Sequence, residues 1–250
     1  MRPAHLQSTA KPPIYRHELD WKMMAMAIEE RTMSAASVAG LSELETSKVL
    51  RNTYTLLAMT LAFSGVTAGI AAMMNVGVMS PWIFLIGAFG LMFAVHKTAD
   101  SALGLLMVFL FTGFFGFYLG PIINLYMQIP NGADYVAMAF GLTAVAFLGL
   151  SAFAIVSKKD FSFMRGFLVV GGFVLMGAIV LHLIFDLGAF RTAMSAGVVL
   201  FASAMILWQT SAIIHGGETN YIRATVTLFV SIYNLFMSLL HLLTAFGGDD

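Results

Sequence analysis

The fold class predicted is all-α: a polytopic membrane protein with seven transmembrane helices. Composition is the first reason, because the 250 residues are 59% hydrophobic and 10% charged, where ordinary globular domains run about 45–50% apolar and about 25% charged. Length is the second. The apolar residues form continuous runs of the size a helix needs to cross a hydrocarbon layer of about 30 Å, and they lack the two-residue alternation of a barrel strand. Charge placement is the third, since the 13 Lys and Arg residues balance the 13 Asp and Glu in number but not in position. No net field favours nucleic acid, and the absence of cysteine removes disulfides and thiolate metal sites.

Residues 1–50 form a different kind of segment, expected as a largely flexible, water-facing tail. They carry Arg2, Lys11, Arg16, Lys22, Arg31 and Lys48 among scattered acids, with Lys-Pro-Pro at 11–13 and no signal-peptide run. Within the tail, LDWKMMAMAIEERTM (19–33) has Leu19, Met23, Met26 and Ala27 at spacings that could give a short amphipathic helix. The membrane domain, 51–250, then reads as spans at 53–75, 80–96, 102–127, 134–156, 162–185, 189–214 and 223–246. Between them lie NVGVMSP, HKTAD, QIPNGAD, SKKDFS, FDLGAF and HGGETNYIR, all short and rich in turn or charged residues.

Positive charge orients these spans. With the tail in the cytoplasm, Arg51, Lys97, Lys158, Lys159, Arg165 and Arg223 fall on the same side, and only Arg191 lies opposite. Seven crossings then put the C-terminal GGDD outside. The expected location is a bacterial inner membrane, with the N-terminus cytoplasmic and the C-terminus periplasmic.

HGGETNYIR becomes the cytoplasmic hairpin between the last two helices. Gly216 and Gly217, after His215, suit a helix C-cap and a tight bend. Thr219 or Asn220, after Glu218, can N-cap the next helix, and Arg223 can keep its head in water. No strand precedes the glycines, and no phosphate-binding pattern occurs. H-E-x-x-H and G-x-S-x-G are absent too, so no enzyme activity, cofactor or metal is expected. The seventh span carries Thr225, Thr227, Ser231, Asn234, Ser238 and His241, which should turn toward protein or water and bury the helix. Gly65 with Gly69, and Gly116 with Gly120, are spaced to let helix backbones approach.

KVLRNTYTLLAMTLAFS (48–64), TGFFGFYLGPIIN (112–124), KKDFSF (158–163) and IIHGGETNYIRATVTLFVSIYNLFMSLL (213–240) together resemble the Bax inhibitor-1 family, in particular its bacterial YccA-like branch. The resemblance implies a seventh helix wrapped by the other six. It also implies a link to an FtsH-type membrane-anchored AAA protease, as modulator and substrate, with the flexible N-terminal tail as the segment such an enzyme would grip. The alternative it implies is a calcium or proton leak, gated by two aspartates on the last two helices that share protons.

In this chain the two aspartate positions fall on Gln209 and Ser231, neither of which titrates. Gln209 lies six residues before His215, roughly 9 Å deep, and Ser231 eight after Arg223, roughly 12 Å deep, at about 1.5 Å per residue. The site expected is therefore an amide and a hydroxyl able to hydrogen-bond, not a proton switch. His182 and His241 are the remaining proton-carrier candidates, or else neutral histidines bonded to a neighbouring hydroxyl or carbonyl. Asp186, Asp249 and Asp250 could attract cations at the outer mouth, or be solvated loop residues.

Overall fold

The computed structural model describes residues 14–185 and 188–247. Asp186, Asp249 and Asp250, with Arg2, Lys11 and the prolines beside it, lie outside the described residues. Seven helices run in chain order: α1 (Ile14–Met73), α2 (Pro81–Thr98), α3 (Ala102–Met127), α4 (Gly132–Ser157), α5 (Met164–Phe185), α6 (Gly188–Ile214) and α7 (Tyr221–Gly247). Each holds a stretch long and apolar enough to cross a membrane. The chain divides after Glu45 into two compact units, Met1–Glu45 and Thr46–Asp250.

The predicted spans match these helices to within three residues at either end, apart from the first. Its apolar stretch is Leu44–Met73 rather than 53–75. The helix runs through Lys48, Arg51 and Asn52, because one charged or amide side chain per turn does not interrupt backbone hydrogen bonding. In the tail, the helix covers the whole of 19–33, and Met23, Met24 and Met26 are exposed.

Burial identifies the centre of the bundle. Of the most apolar window of α7, 56% is buried, against 6% for α2 and for α5. α7 packs on α2, α3, α4 and α6, and α5 packs on α6. An aromatic cluster joins three of these helices. Phe84 of α2 stacks on Tyr118 of α3 at 3.9 Å between ring centres, and Phe115 of α3 meets Tyr233 of α7 edge-on at 4.9 Å, geometries that add to the packing of the rings.

Close backbone approach occurs at one of the two predicted glycine pairs. A Cβ on Gly116 would run into the Ser64 carbonyl and the Thr67 hydroxyl of α1, and one on Gly120 into the Ala68 carbonyl. Asn124 closes the same seam by donating to the Ala72 carbonyl at 2.9 Å. Gly65 and Gly69 do not take part, since nothing lies within 4 Å of the Cβ position of either. Glycines spaced by four always share a helix face, but the spacing cannot say which face meets a neighbour.

Candidate functional site: the α6–α7 hairpin and the polar residues along it

The hairpin is built by capping. Gly216 adopts φ +72, the left-handed conformation open to glycine, and the Gly217 N–H returns to the Ala212 carbonyl at 2.8 Å, closing α6. Asn220, rather than Thr219, caps α7: its Oδ1 accepts from the N–H groups of Ile222 (2.9 Å) and Arg223 (3.1 Å). The other half of the same amide donates to the Ala99 carbonyl (3.0 Å) and to Asp100 Oδ1 (2.7 Å) in the α2–α3 turn. One side chain thus starts a helix and ties it to a turn 120 residues earlier in the chain. Arg223 lies between two carboxylates, with Asp100 at 3.8 Å and Glu218 at 3.7 Å. These are ion-pair rather than hydrogen-bond distances, so the predicted water-facing guanidinium is also held by charge.

The α4–α5 loop joins the same end. Ser211, buried near the end of α6, donates from Oγ to the Lys159 carbonyl at 3.1 Å and accepts from the Phe161 N–H at 3.1 Å. His215 bridges as well, with Nδ1 2.9 Å from the Ser211 carbonyl and Nε2 3.1 Å from that of Lys158. Lys158 takes the left-handed conformation that turns the chain out of α4. Beside it, the Ser162 N–H bonds Asp160 at 2.8 Å and holds that carboxyl below its ordinary value. Asp100 and Ser211 were not foreseen as site residues. The readable signal was that their segments fall on the hairpin's side of the membrane.

Gln209 and Ser231 lie along the two helices that meet at this hairpin, and both are buried. They do not bond each other. Ser231 Oγ donates to the Thr227 carbonyl one turn back, at 2.8 Å, and Gln209 Nε2 has no partner. The hydroxyls of Thr225, Thr227 and Thr244 likewise return to carbonyls four residues earlier. Of the six polar residues that marked α7 in the sequence, Thr225, Thr227 and Ser231 are thus satisfied inside the helix itself.

Asn234 and His241 stand on the wall of a cavity of about 850 Å³ formed by α2, α3, α5, α6 and α7. Asn234 is exposed into it, in contrast to the burial of its neighbours Tyr233 and Leu235. Tyr233, Tyr118 and Arg191 share the wall. Arg191 and His182 are close enough to His241 to act on it electrostatically. The Tyr233 hydroxyl, His241 Nε2 and His182 Nδ1 are buried without a partner, so neither histidine makes at these atoms the bond expected of a neutral core residue. No group of three or more metal-binding side chains occurs among the described residues.

Comparison with known proteins bears on the whole membrane unit. The family model described as inhibitor of apoptosis-promoting Bax1 matches residues 46–248. An uncharacterised protein of Pseudomonas aeruginosa is 53% identical over 206 residues, covering 82% of this chain and 93% of that one. The protein of Escherichia coli strain K12 named modulator of FtsH protease YccA is 48% identical over 209 residues, 84% of this chain and 94% of its own. An uncharacterised membrane protein of Vibrio cholerae is 45% identical over 212 residues, 83% and 93%. With seven helices long and apolar enough to cross a membrane, a buried α7 among them, and a family match running from the first span to the last, the chain is a multi-pass membrane protein and belongs to the Bax inhibitor-1 family.

Proposed function

We propose that the protein is a modulator and substrate of an FtsH-type membrane-anchored AAA protease in a bacterial inner membrane, with its N-terminal segment in the cytoplasm as the handle. The observation that carries this reading is the 48% identity, over 94% of its length, to a protein named for modulating that protease. The division of the chain supports it. The family match begins at residue 46, where the second compact unit also begins, so the 45 residues before it can be removed without taking any of the matched bundle. A pulling enzyme needs an initiation segment, and these residues precede the matched bundle in the chain. Positive charge supports the orientation, with six of the seven basic residues in or beside the membrane domain's loops on the hairpin side.

Deleting residues 1–45 in cells with and without the protease tests the handle. The truncated chain should insert and fold as before, and its protease-dependent turnover should fall to the rate seen without the protease. Unchanged turnover would refute the handle. A reporter fused after Asp250 should read the periplasm, and one in the Ser157–Asp160 loop the cytoplasm.

A further inference from the structure

We infer that the cavity between α2 and α5 is a binding site for an anionic phospholipid, drawn from the leaflet opposite the α6–α7 hairpin. α5 packs on α6, and α2 on α3 and α7, but α2 and α5 do not pack extensively on each other. The cavity, about 850 Å³, lies along that unsealed seam, and its size is at the upper end of the range of about 300–1,000 Å³ for ligand sites. Phe89 of α2 both lines the cavity and is exposed, so the cavity adjoins the lipid-facing surface.

Its dimensions and polarity fit one lipid chain and one headgroup. On α7 the wall extends from Val230 to Thr244, a rise of about 21 Å. That is enough to run through one leaflet of a hydrocarbon layer about 30 Å thick and reach its interface. The deep part is apolar, lined by residues such as Ala88, Met92, Phe115 and Met176. The end away from the hairpin has Arg191, His241 and Thr244. Among the described residues no carboxylate lines the wall and Arg191 has no ion pair. Asp186, five residues before Arg191, lies outside those residues.

A guanidinium at the interface end of an apolar slot is complementary to a phosphate whose acyl chain fills the slot, and its planar donors suit phosphate oxygens. Asn234, exposed on this wall, supplies a further amide donor to an oxygen of the same molecule.

Native mass spectrometry of the full-length protein in detergent tests this, with phosphatidylglycerol, phosphatidylcholine of the same acyl chains, and inorganic phosphate as probes. Phosphatidylglycerol should be retained about tenfold more tightly than phosphatidylcholine, the scale of one hydrogen-bonded charge contact. Arg191→Gln should abolish that preference and Arg191→Lys restore part of it. Ala88→Trp, which fills the slot, should weaken retention of both lipids, and Ile179→Trp on the facing wall serves the same purpose if the first variant does not fold. Equal retention of the two lipids by the unmodified protein overturns the proposal. So does a preference that survives Arg191→Gln, or lipid retention unaffected by filling the slot. Displacement of phosphatidylglycerol by an equal concentration of inorganic phosphate would assign the cationic end to a free anion and overturn the lipid as its occupant.

Discussion

Where α6 and α7 meet at the hairpin, Asn220 makes four hydrogen bonds with one amide, Ser211 two with one hydroxyl, and both ring nitrogens of His215 face a carbonyl. Further along the same two helices, Gln209, Tyr233 and His241 each bury a polar atom that meets none, whereas the one such atom described at the hairpin, Arg223 Nε, still lies 3.7 Å from the Glu218 carboxylate. Water does not account for the contrast, because the hairpin lies nearer to it and has less need of internal partners. The hairpin has a mechanical task. It must hold the α2–α3 turn, the α4–α5 loop and the start of the central helix in one arrangement, and directional bonds do this where packing is sparse. Within the bundle, packing fixes the helices, so a polar atom left without a partner there is an extra cost of about 1–3 kcal/mol. Such atoms are better read as costs that the packing carries than as supports of the fold.

This contrast predicts opposite signs for substitutions in the two regions. The largest loss should follow Asn220→Ala, which removes the α7 cap and both bonds to the α2–α3 turn. A cap alone is worth about 1 kcal/mol and up to about 2, so a loss of about 2 kcal/mol or more is expected in detergent unfolding, with faster proteolysis of the hairpin. A loss below about 0.5 kcal/mol would show that the bonds contribute little. Ser211→Ala should cost somewhat less, about 1–2 kcal/mol, because the Lys159 carbonyl and Phe161 N–H it leaves are close enough to the surface to find water. Amide hydrogen exchange should quicken at Phe161 while the interior of α6 keeps its protection.

How far these regions could be read from sequence follows the same division. Span positions were legible because hydrophobic length is set by the bilayer, and the centrality of α7 because its polar residues are too many for a lipid-facing helix. The use of those residues was not legible. Ser231 and three threonines of α7 bond their own helix, while Asn234 opens into a cavity. Residue type is the same information in both cases, and only the neighbour differs. Asn220 over Thr219, and Gly116 with Gly120 over Gly65 with Gly69, were settled by rotation about the helix axis and by which neighbour lay across it. The cavity had no sequence signal, because its wall gathers side chains from five helices.

The unpartnered amide gives a smaller effect of the reverse sign. Gln209→Leu replaces a buried, unbonded nitrogen by an apolar group of similar size. Removing such a group is neutral to stabilising, so the unfolding midpoint should stay or rise, by no more than about 1 kcal/mol. A loss of 2 kcal/mol or more would mean that the amide has a partner in the membrane, and the contrast between the two regions would fail at that residue.

The smallest effect, and the most exposed prediction, is an absence of response to pH. If Gln209 and Ser231 stand where leak members of the family hold two proton-sharing aspartates, no group at that site can change charge near neutrality. Cation flux through the purified protein in liposomes should then be flat between about pH 6 and 8. Gln209→Asp with Ser231→Asp would place two carboxylates in a buried part of the bundle, where they cannot both ionise cheaply. Flux in that variant should become pH-dependent, and Gln209→Asp alone should do less, having no partner with which to share a proton. Strong pH dependence in the unmodified protein would move the switch to another group. His241, with His182 and Arg191 close by, is the first to test, by His241→Gln.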